Sequence, residues 1–99
     1  MIRGTTPTHT FMLPFDVTLI QEIRIIYLQG AKKLIKKKDD CALKDNTVTV
    51  RLTQEETLMF DSARAAEVQI RILTPSGDAL ASDTQMISVR RLLENEVIE

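Results

Sequence analysis

The chain has 99 residues, which is enough for one domain near the lower end of the usual size range. Its 13 basic and 14 acidic residues nearly balance, so the net charge of −1 excludes a general attraction to nucleic acid or anionic membrane. Aromatic residues make up 4% and there is no Trp, so we expect an aliphatic core. The single cysteine excludes an internal disulfide, and no apolar run reaches the roughly 20 residues that span a bilayer.

The N-terminal third predicts two strands. Residues Thr8–Leu13 are β-branched and extended, and Pro14 ends this first strand. Residues Glu22–Leu28 alternate with period two, and because both faces are apolar we place this strand near the middle of a sheet. Gln29 and Gly30 then favour a turn.

The middle of the chain predicts one lysine-rich segment, one clean strand and one short helix. Residues Ala31–Lys38 continue as an extended segment, and Cys41–Asn46 is predicted to be a connection. Thr47–Leu52 alternates, with Val48, Val50 and Leu52 facing inward. Residues Thr53–Glu56 fit a capping box, a hydroxyl followed three positions later by a carboxylate, which predicts a helical corner over Thr53–Phe60.

The last third predicts one more clean strand and a less regular end. Residues Glu67–Leu73 alternate, with Val68, Ile70 and Ile72 on one face, and Pro75–Asp78 is a strong turn signal. Residues Leu80–Val89 are predicted to be one last, more polar extended stretch. Six or seven short strands with turns between them indicate an all-β fold, an antiparallel β-sandwich with one short helical corner. Residues 1–99 then form a single domain with its core over about 6–90 and a charged C-terminal tail over 91–99.

Several stretches carry a resemblance that covers the chain from about Thr6 to Ile98. They resemble small accessory proteins of the virion or tail region that phages and prophages of Gram-positive bacteria encode, a family with no assigned activity. The stretches are Thr6–Phe11 with Leu13-Pro14, Ile23–Tyr27, Cys41, Asn46–Gln54, Val68–Arg71, Leu73-Thr74, Gly77 and Ala79–Asp83. The order strand, Leu52-Thr53-x-x-Glu56-Thr57, strand also resembles a corner of immunoglobulin-like sandwiches, although the chain lacks their cysteine pair and Trp.

No assembled catalytic, cofactor or metal site is predicted, so we do not expect an enzyme. His9 is the only histidine, and on a strand among threonines it is expected at the surface. Cys41 needs an activating base to act as a nucleophile, and a small apolar filler at a strand edge is the favoured interpretation. The acidic pairs Asp39-Asp40 and Glu55-Glu56 fit turn chemistry and helix-dipole complementarity better than a cleft.

The lysine-rich segment has two interpretations. Five ammonium groups in seven residues create a local positive potential that is able to grip phosphates. An extended strand divides them between two faces, however, and no aromatic residue interleaves to stack bases. We therefore favour an edge strand that lysines protect from aggregation. The residues are Lys32, Lys33, Lys36, Lys37 and Lys38.

The tail holds four apolar side chains outside the predicted strands: Leu92, Leu93, Val97 and Ile98. Leu93 and Val97 stand four apart, the spacing of one helical face. These side chains either dock on the core or contact a second subunit, and the sequence leaves both open.

The sequence thus predicts a non-enzymatic phage structural or adaptor protein that acts through protein–protein contacts, with the lysine-rich segment and the tail as possible surfaces. The partner is expected to be a phage structural component or a second copy, and no membrane is expected. The alternative is a nucleic-acid-binding accessory protein that uses the lysines. The N-terminus lacks a secretory signal, so we expect a complete chain that is made in the host cytoplasm, with the virion as a second location.

Overall fold

The structure, a computed structural model, describes residues 1–99 and consists mainly of β-strands. One five-residue helix, α1 (Gln54–Leu58), and one 3-10 turn (Lys38–Asp40) interrupt them, and no helix is long and apolar enough to cross a membrane. The strands in chain order are β1 (Thr8–Met12), β2 (Glu22–Gln29), β3 (Lys32–Lys37), β4 (Cys41–Lys44), β5 (Thr47–Arg51), β6 (Ala66–Leu73), β7 (Ala79–Ala81) and β8 (Gln85–Ile87).

The strands form two antiparallel sheets packed together, which confirms the predicted β-sandwich. The three-stranded sheet has the order β1-β5-β4. The five-stranded sheet has the order β3-β2-β6, after which β7 and β8 both pair with β6 at different points along its length. The 3-10 turn carries the chain from β3 in one sheet to β4 in the other, and α1 lies on the return from β5 to β6.

The core lies between the sheets and follows the predicted alternation. Val48, Val50 and Leu52 face inward as expected, and so do Val68, Ile70 and Ile72. β2 lies between β3 and β6, the central place that its two apolar faces indicate. Fourteen buried apolar residues form one cluster: Val17, Ile20, Ile23, Ile25, Tyr27, Val48, Val50, Leu52, Phe60, Ala66, Val68, Ile70, Ile72 and Val89.

The prediction of a connection over Cys41–Asn46 is wrong. Residues Cys41–Lys44 form β4, which pairs with β5 around a turn at Asp45 and Asn46. Asp45 has a φ of 52°, a left-handed conformation that Asp tolerates better than most residues. The alternation in β4 is only four residues long and includes one lysine, which is too short to distinguish from a loop by pattern.

The single extended stretch predicted over Leu80–Val89 is also wrong, because it is divided between β7 and β8. Ser82 interrupts the pairing with β6. The backbone N–H of Ser82 donates to the Ile70 carbonyl at 2.9 Å, and the Ser82 hydroxyl accepts from the Ile70 N–H at 3.0 Å. The side chain therefore occupies a backbone position in the ladder, and the chain leaves the sheet before it returns as β8.

The helical corner is capped as predicted. The Thr53 hydroxyl accepts from the Glu56 N–H at 3.2 Å, and the Glu56 carboxylate accepts from the Thr53 N–H at 2.8 Å. These reciprocal bonds form the capping box, so Glu56 is fixed at the first turn of α1. The second carboxylate oxygen of Glu56 points to Lys36 of β3.

Candidate interaction surfaces

The lysine-rich segment forms β3, an edge strand whose lysines face both ways as predicted. Lys33 and Lys37 are exposed on the outer face. Lys36 faces the interior and is 8% exposed, and its Nζ lies 2.7 Å from Glu56 Oε2. The Lys36 ammonium group is therefore paired with a carboxylate between the sheets and is not available to a phosphate.

Two further lysines of the segment are also engaged. Lys32 Nζ lies 3.3 Å from the Asp61 carboxylate, and Lys38 Nζ donates to the Ile20 carbonyl at 3.0 Å. The predicted extended segment over Ala31–Lys38 is wrong at its last residue, because Lys38 begins the 3-10 turn after β3. The five lysines thus form no continuous positive stripe.

The Glu56 carboxylate is held in its charged form. Burial opposes the charge, but hydrogen bonds from Lys36 and from the Thr53 backbone outweigh this and lower the pKa of Glu56 below its ordinary value. One carboxylate therefore caps α1 and pairs with β3, so it ties the helical corner to the edge of the five-stranded sheet.

His9 faces the space between the two sheets, so the expectation that it lies on the surface is wrong. It is half-buried, and its Nδ1 lies 2.7 Å from the hydroxyl of the fully buried Tyr27. Burial, with a contribution from the N-terminal ammonium group, lowers the pKa of His9. Burial also raises the pKa of Tyr27, with Cys41 and Glu56 adding to the effect, so both rings of this hydrogen bond are neutral at pH 7.

Cys41 shares the inward face with His9 but does not contact it. Both residues pair with Val50, from opposite sides, so two strand spacings of about 5 Å each separate their backbones. The Cys41 thiol donates to the Lys37 carbonyl at 3.3 Å, and burial, with the nearby Asp40 carboxylate, raises its pKa. This thiol is therefore not activated as a nucleophile, and no group of three or more His, Cys, Asp or Glu side chains is placed to hold a metal ion.

The neutral His9 makes the stability depend on pH. Its pKa is lower in the folded chain than its value of 6.5 when unfolded, so the unfolded chain binds the proton more readily. The free energy of unfolding is then highest above pH 6.5 and falls as the pH drops toward the folded pKa. We expect urea unfolding to show a larger loss of stability between pH 7.5 and 5.5 for the wild type than for His9→Gln. Equal losses in the two proteins would contradict this assignment.

The C-terminal tail is irregular and partly docked. The side-chain amide of Gln54 donates to the Ile98 carbonyl at 3.0 Å and accepts from the Ile98 N–H at 2.8 Å. Leu92 is half-buried and packs beside Gly4, whereas Leu93 and Ile98 are 89% and 72% exposed. Val97 is 37% exposed, and the residues form no helical face. One of the four apolar side chains thus docks on the body and three stay at the surface.

A further surface, which the sequence interpretation missed, is the free edge of β1. The Leu52 N–H donates to the Pro7 carbonyl at 3.0 Å and the Leu13 N–H to the Asn46 carbonyl at 2.8 Å. Because hydrogen-bonded and non-hydrogen-bonded pairs alternate in an antiparallel ladder, the odd-numbered residues of β1 bond to β5. The backbone groups of Thr8, Thr10 and Met12 therefore point to the open side. The sequence feature that indicates an unprotected edge is the absence of Asp, Glu, Lys and Arg between Thr8 and Leu13.

Beside this edge lie two adjoining cavities, which open between the sheets; the first has a mixed lining that includes Gln69, Ser82 and Gln85, and the second is mainly apolar. The first, of about 210 Å³, lies between residues 10–13 and the β6 residues Val68–Ile70. The second, of about 190 Å³, continues past Phe15 to Ile72 and Leu80. No charged side chain lines either cavity.

Comparison with protein-family models, with curated proteins and with solved structures finds no match to this chain.

Proposed function

We propose that this chain is a non-enzymatic structural or adaptor protein that acts through protein–protein contacts, in a phage particle or during its assembly. The observation that carries the contact role is the uncharged free edge of β1, with two cavities beside it that no charged side chain lines. Sheet edges and apolar patches of this kind are common means of binding another protein. The phage setting rests on the resemblance described from the sequence.

The interior polar groups support a contact role rather than chemistry. His9 and Tyr27 are held neutral and bonded to each other, and the Cys41 thiol is bonded to a backbone carbonyl. A nucleophilic thiol needs a general base within hydrogen-bond reach, but the Cys41 thiol bonds the Lys37 carbonyl and His9 bonds Tyr27.

The lysine arrangement gives no support to the nucleic-acid alternative. Lys36 is paired inside the body, and Lys32 and Lys38 have partners within the chain. Lys33 and Lys37 remain, and two phosphate contacts without a stacking aromatic side chain supply little affinity at physiological salt.

Quantitative mass spectrometry of purified particles from the producing strain tests this proposal. We expect the chain at a fixed ratio to a major structural protein, and this ratio should survive a high-salt wash because apolar and backbone contacts are weakly screened. Absence from the particles, while the chain is abundant in the producing cells, would contradict a structural role.

A further inference from the structure

The two sheets of the sandwich have unequal widths. The five-stranded sheet is four strands wide, because β7 and β8 lie end to end along the same edge of β6. The opposite sheet has only three positions. The 3-10 turn joins β3 directly to β4, so these strands share one side of the sandwich, and β1 lies against β6 across the first cavity. The position of β7 and β8 therefore has no strand opposite it.

Leu80 shows the consequence of this mismatch. It pairs with Ile72, which is 5% exposed and faces the core, so Leu80 lies on the same inner face. Leu80 is nevertheless 43% exposed. An inner-face leucine stays exposed here because the three-stranded sheet ends at β1 and does not extend over it.

We define the β1 slot as this uncovered strip, bounded by the free edge of Thr8–Met12 and by the inner-face residues Ile70, Leu80, Ser82 and Gln85. Three residues of its edge, Thr8, Thr10 and Met12, present unpaired N–H and C=O groups on alternate positions. A strand lying there would complete the ladder and cover Leu80. The two sheets differ in width by one strand position, so the slot corresponds to a single strand.

We propose that the β1 slot binds one extended, uncharged segment of a partner protein, which joins the three-stranded sheet as a fourth strand. Its inward side chains, at every second position, would be apolar and would fill the two cavities. The missing charge at the slot favours such a segment, because a charged side chain placed there would lose water without gaining a partner. This inference rests on the proposed function, whose binding mode it specifies.

A second copy of this chain does not fit the slot through its own β1. If two copies paired through their β1 strands, β7 and β8 of the first copy would lie opposite β1 of the second copy. That place is already filled by β6 of the second copy, so the two five-stranded sheets would collide. The overhang therefore admits a single strand but not a second sandwich.

Fluorescence anisotropy with a labelled peptide tests the proposal on the full chain. The probe is an acetylated and amidated peptide of about seven residues, in which valine alternates with threonine. We expect saturable binding with a midpoint below about 1 mM. A second peptide of the same sequence carries methyl groups on the alternate backbone nitrogens whose N–H groups would donate to β1. It should bind at least tenfold more weakly, because those hydrogen-bond donors are blocked.

A proline in the β1 edge gives the matched test in the protein. The Thr10 N–H points to the slot, so Thr10→Pro removes one donor there and leaves the bonds to β5 in place. Ile35→Pro is the control, because it removes an outward N–H from the other edge strand, β3. The Lys37 N–H points away from β2 and donates to Asp40, and Ile35, two residues earlier, has the same orientation. We expect Thr10→Pro to weaken peptide binding at least tenfold and Ile35→Pro to leave it unchanged, with both variants folded by circular dichroism.

Three outcomes would overturn the slot. They are no saturable binding of the probe, equal binding of its N-methylated form, and a dimer in light scattering that Thr10→Pro abolishes, which would make the occupant a second copy. Because none of these measurements involves particles, failure here with the chain still present in particles would reject the slot and leave the proposed function standing.

Discussion

Lys36→Ala is expected to lower the free energy of unfolding by about 2–3 kcal/mol, because it leaves the Glu56 carboxylate without its partner between the sheets. The side chains of Lys36 and Glu56 are 11% and 22% exposed, and their charged atoms lie 2.7 Å apart. Glu56 has Thr53 as its remaining hydrogen-bond donor, so part of its charge stays uncompensated. The buried aliphatic part of the Lys36 side chain is also lost.

Lys37→Ala is the matched control in the same strand. Lys37 is exposed on the outer face and has no ion pair, so we expect a change within about 0.5 kcal/mol. Urea unfolding of both variants at pH 7 and low salt measures the difference. A double-mutant cycle with Glu56→Gln should show that the two positions are coupled. Equal effects of Lys36→Ala and Lys37→Ala would show that Lys36 is not in the interior.

Gln29→Leu is expected to destabilise the chain by about 3 kcal/mol, because one buried amide secures the loop after α1. Gln29 is 2% exposed, and its Nε2 donates to the carbonyls of Asp61 and Arg64, both at 2.8 Å. Its Oε1 accepts from the Asp61 N–H at 2.9 Å. Leucine has a similar volume but satisfies none of these three backbone groups.

Gln69→Leu provides the comparison for Gln29. Its Nε2 makes one bond, to the Ser82 carbonyl at 2.8 Å, and the side chain is only half-buried. We expect a loss below about 1 kcal/mol. Thermal and urea unfolding of the two variants measure the contrast. Similar losses at both positions would mean that the loop over residues 61–64 is not held by Gln29.

The parts of the fold that sequence predicts well are those where a buried strand imposes strict alternation. Thr47–Leu52 and Glu67–Leu73 place their apolar residues on one face because the opposite sheet covers that face. β4 has four residues and one lysine, so its pattern is indistinguishable from a polar connection. The Ser82 hydroxyl accepts the hydrogen bond that a backbone carbonyl would accept in a regular ladder, and a period-two pattern of apolar residues does not reveal this.

The candidate sites depend on strand order, which alternation does not specify. His9 meets Tyr27 because β1 packs across from the five-stranded sheet, and a strand of threonines gives no sign of this contact. Lys36 faces inward because the hairpin pairs it with the buried Ile25. The β1 slot is a difference between the widths of two sheets, so no single residue marks it.

β1 is an open edge of a two-sheet sandwich, and amide hydrogen exchange followed by NMR measures this residue by residue. In the isolated chain we expect slow exchange at His9 and Phe11, which bond to β5, and fast exchange at Thr8, Thr10 and Met12. Uniform protection of these five amides would mean that the edge is already covered, and uniform fast exchange would mean that β1 is not paired with β5.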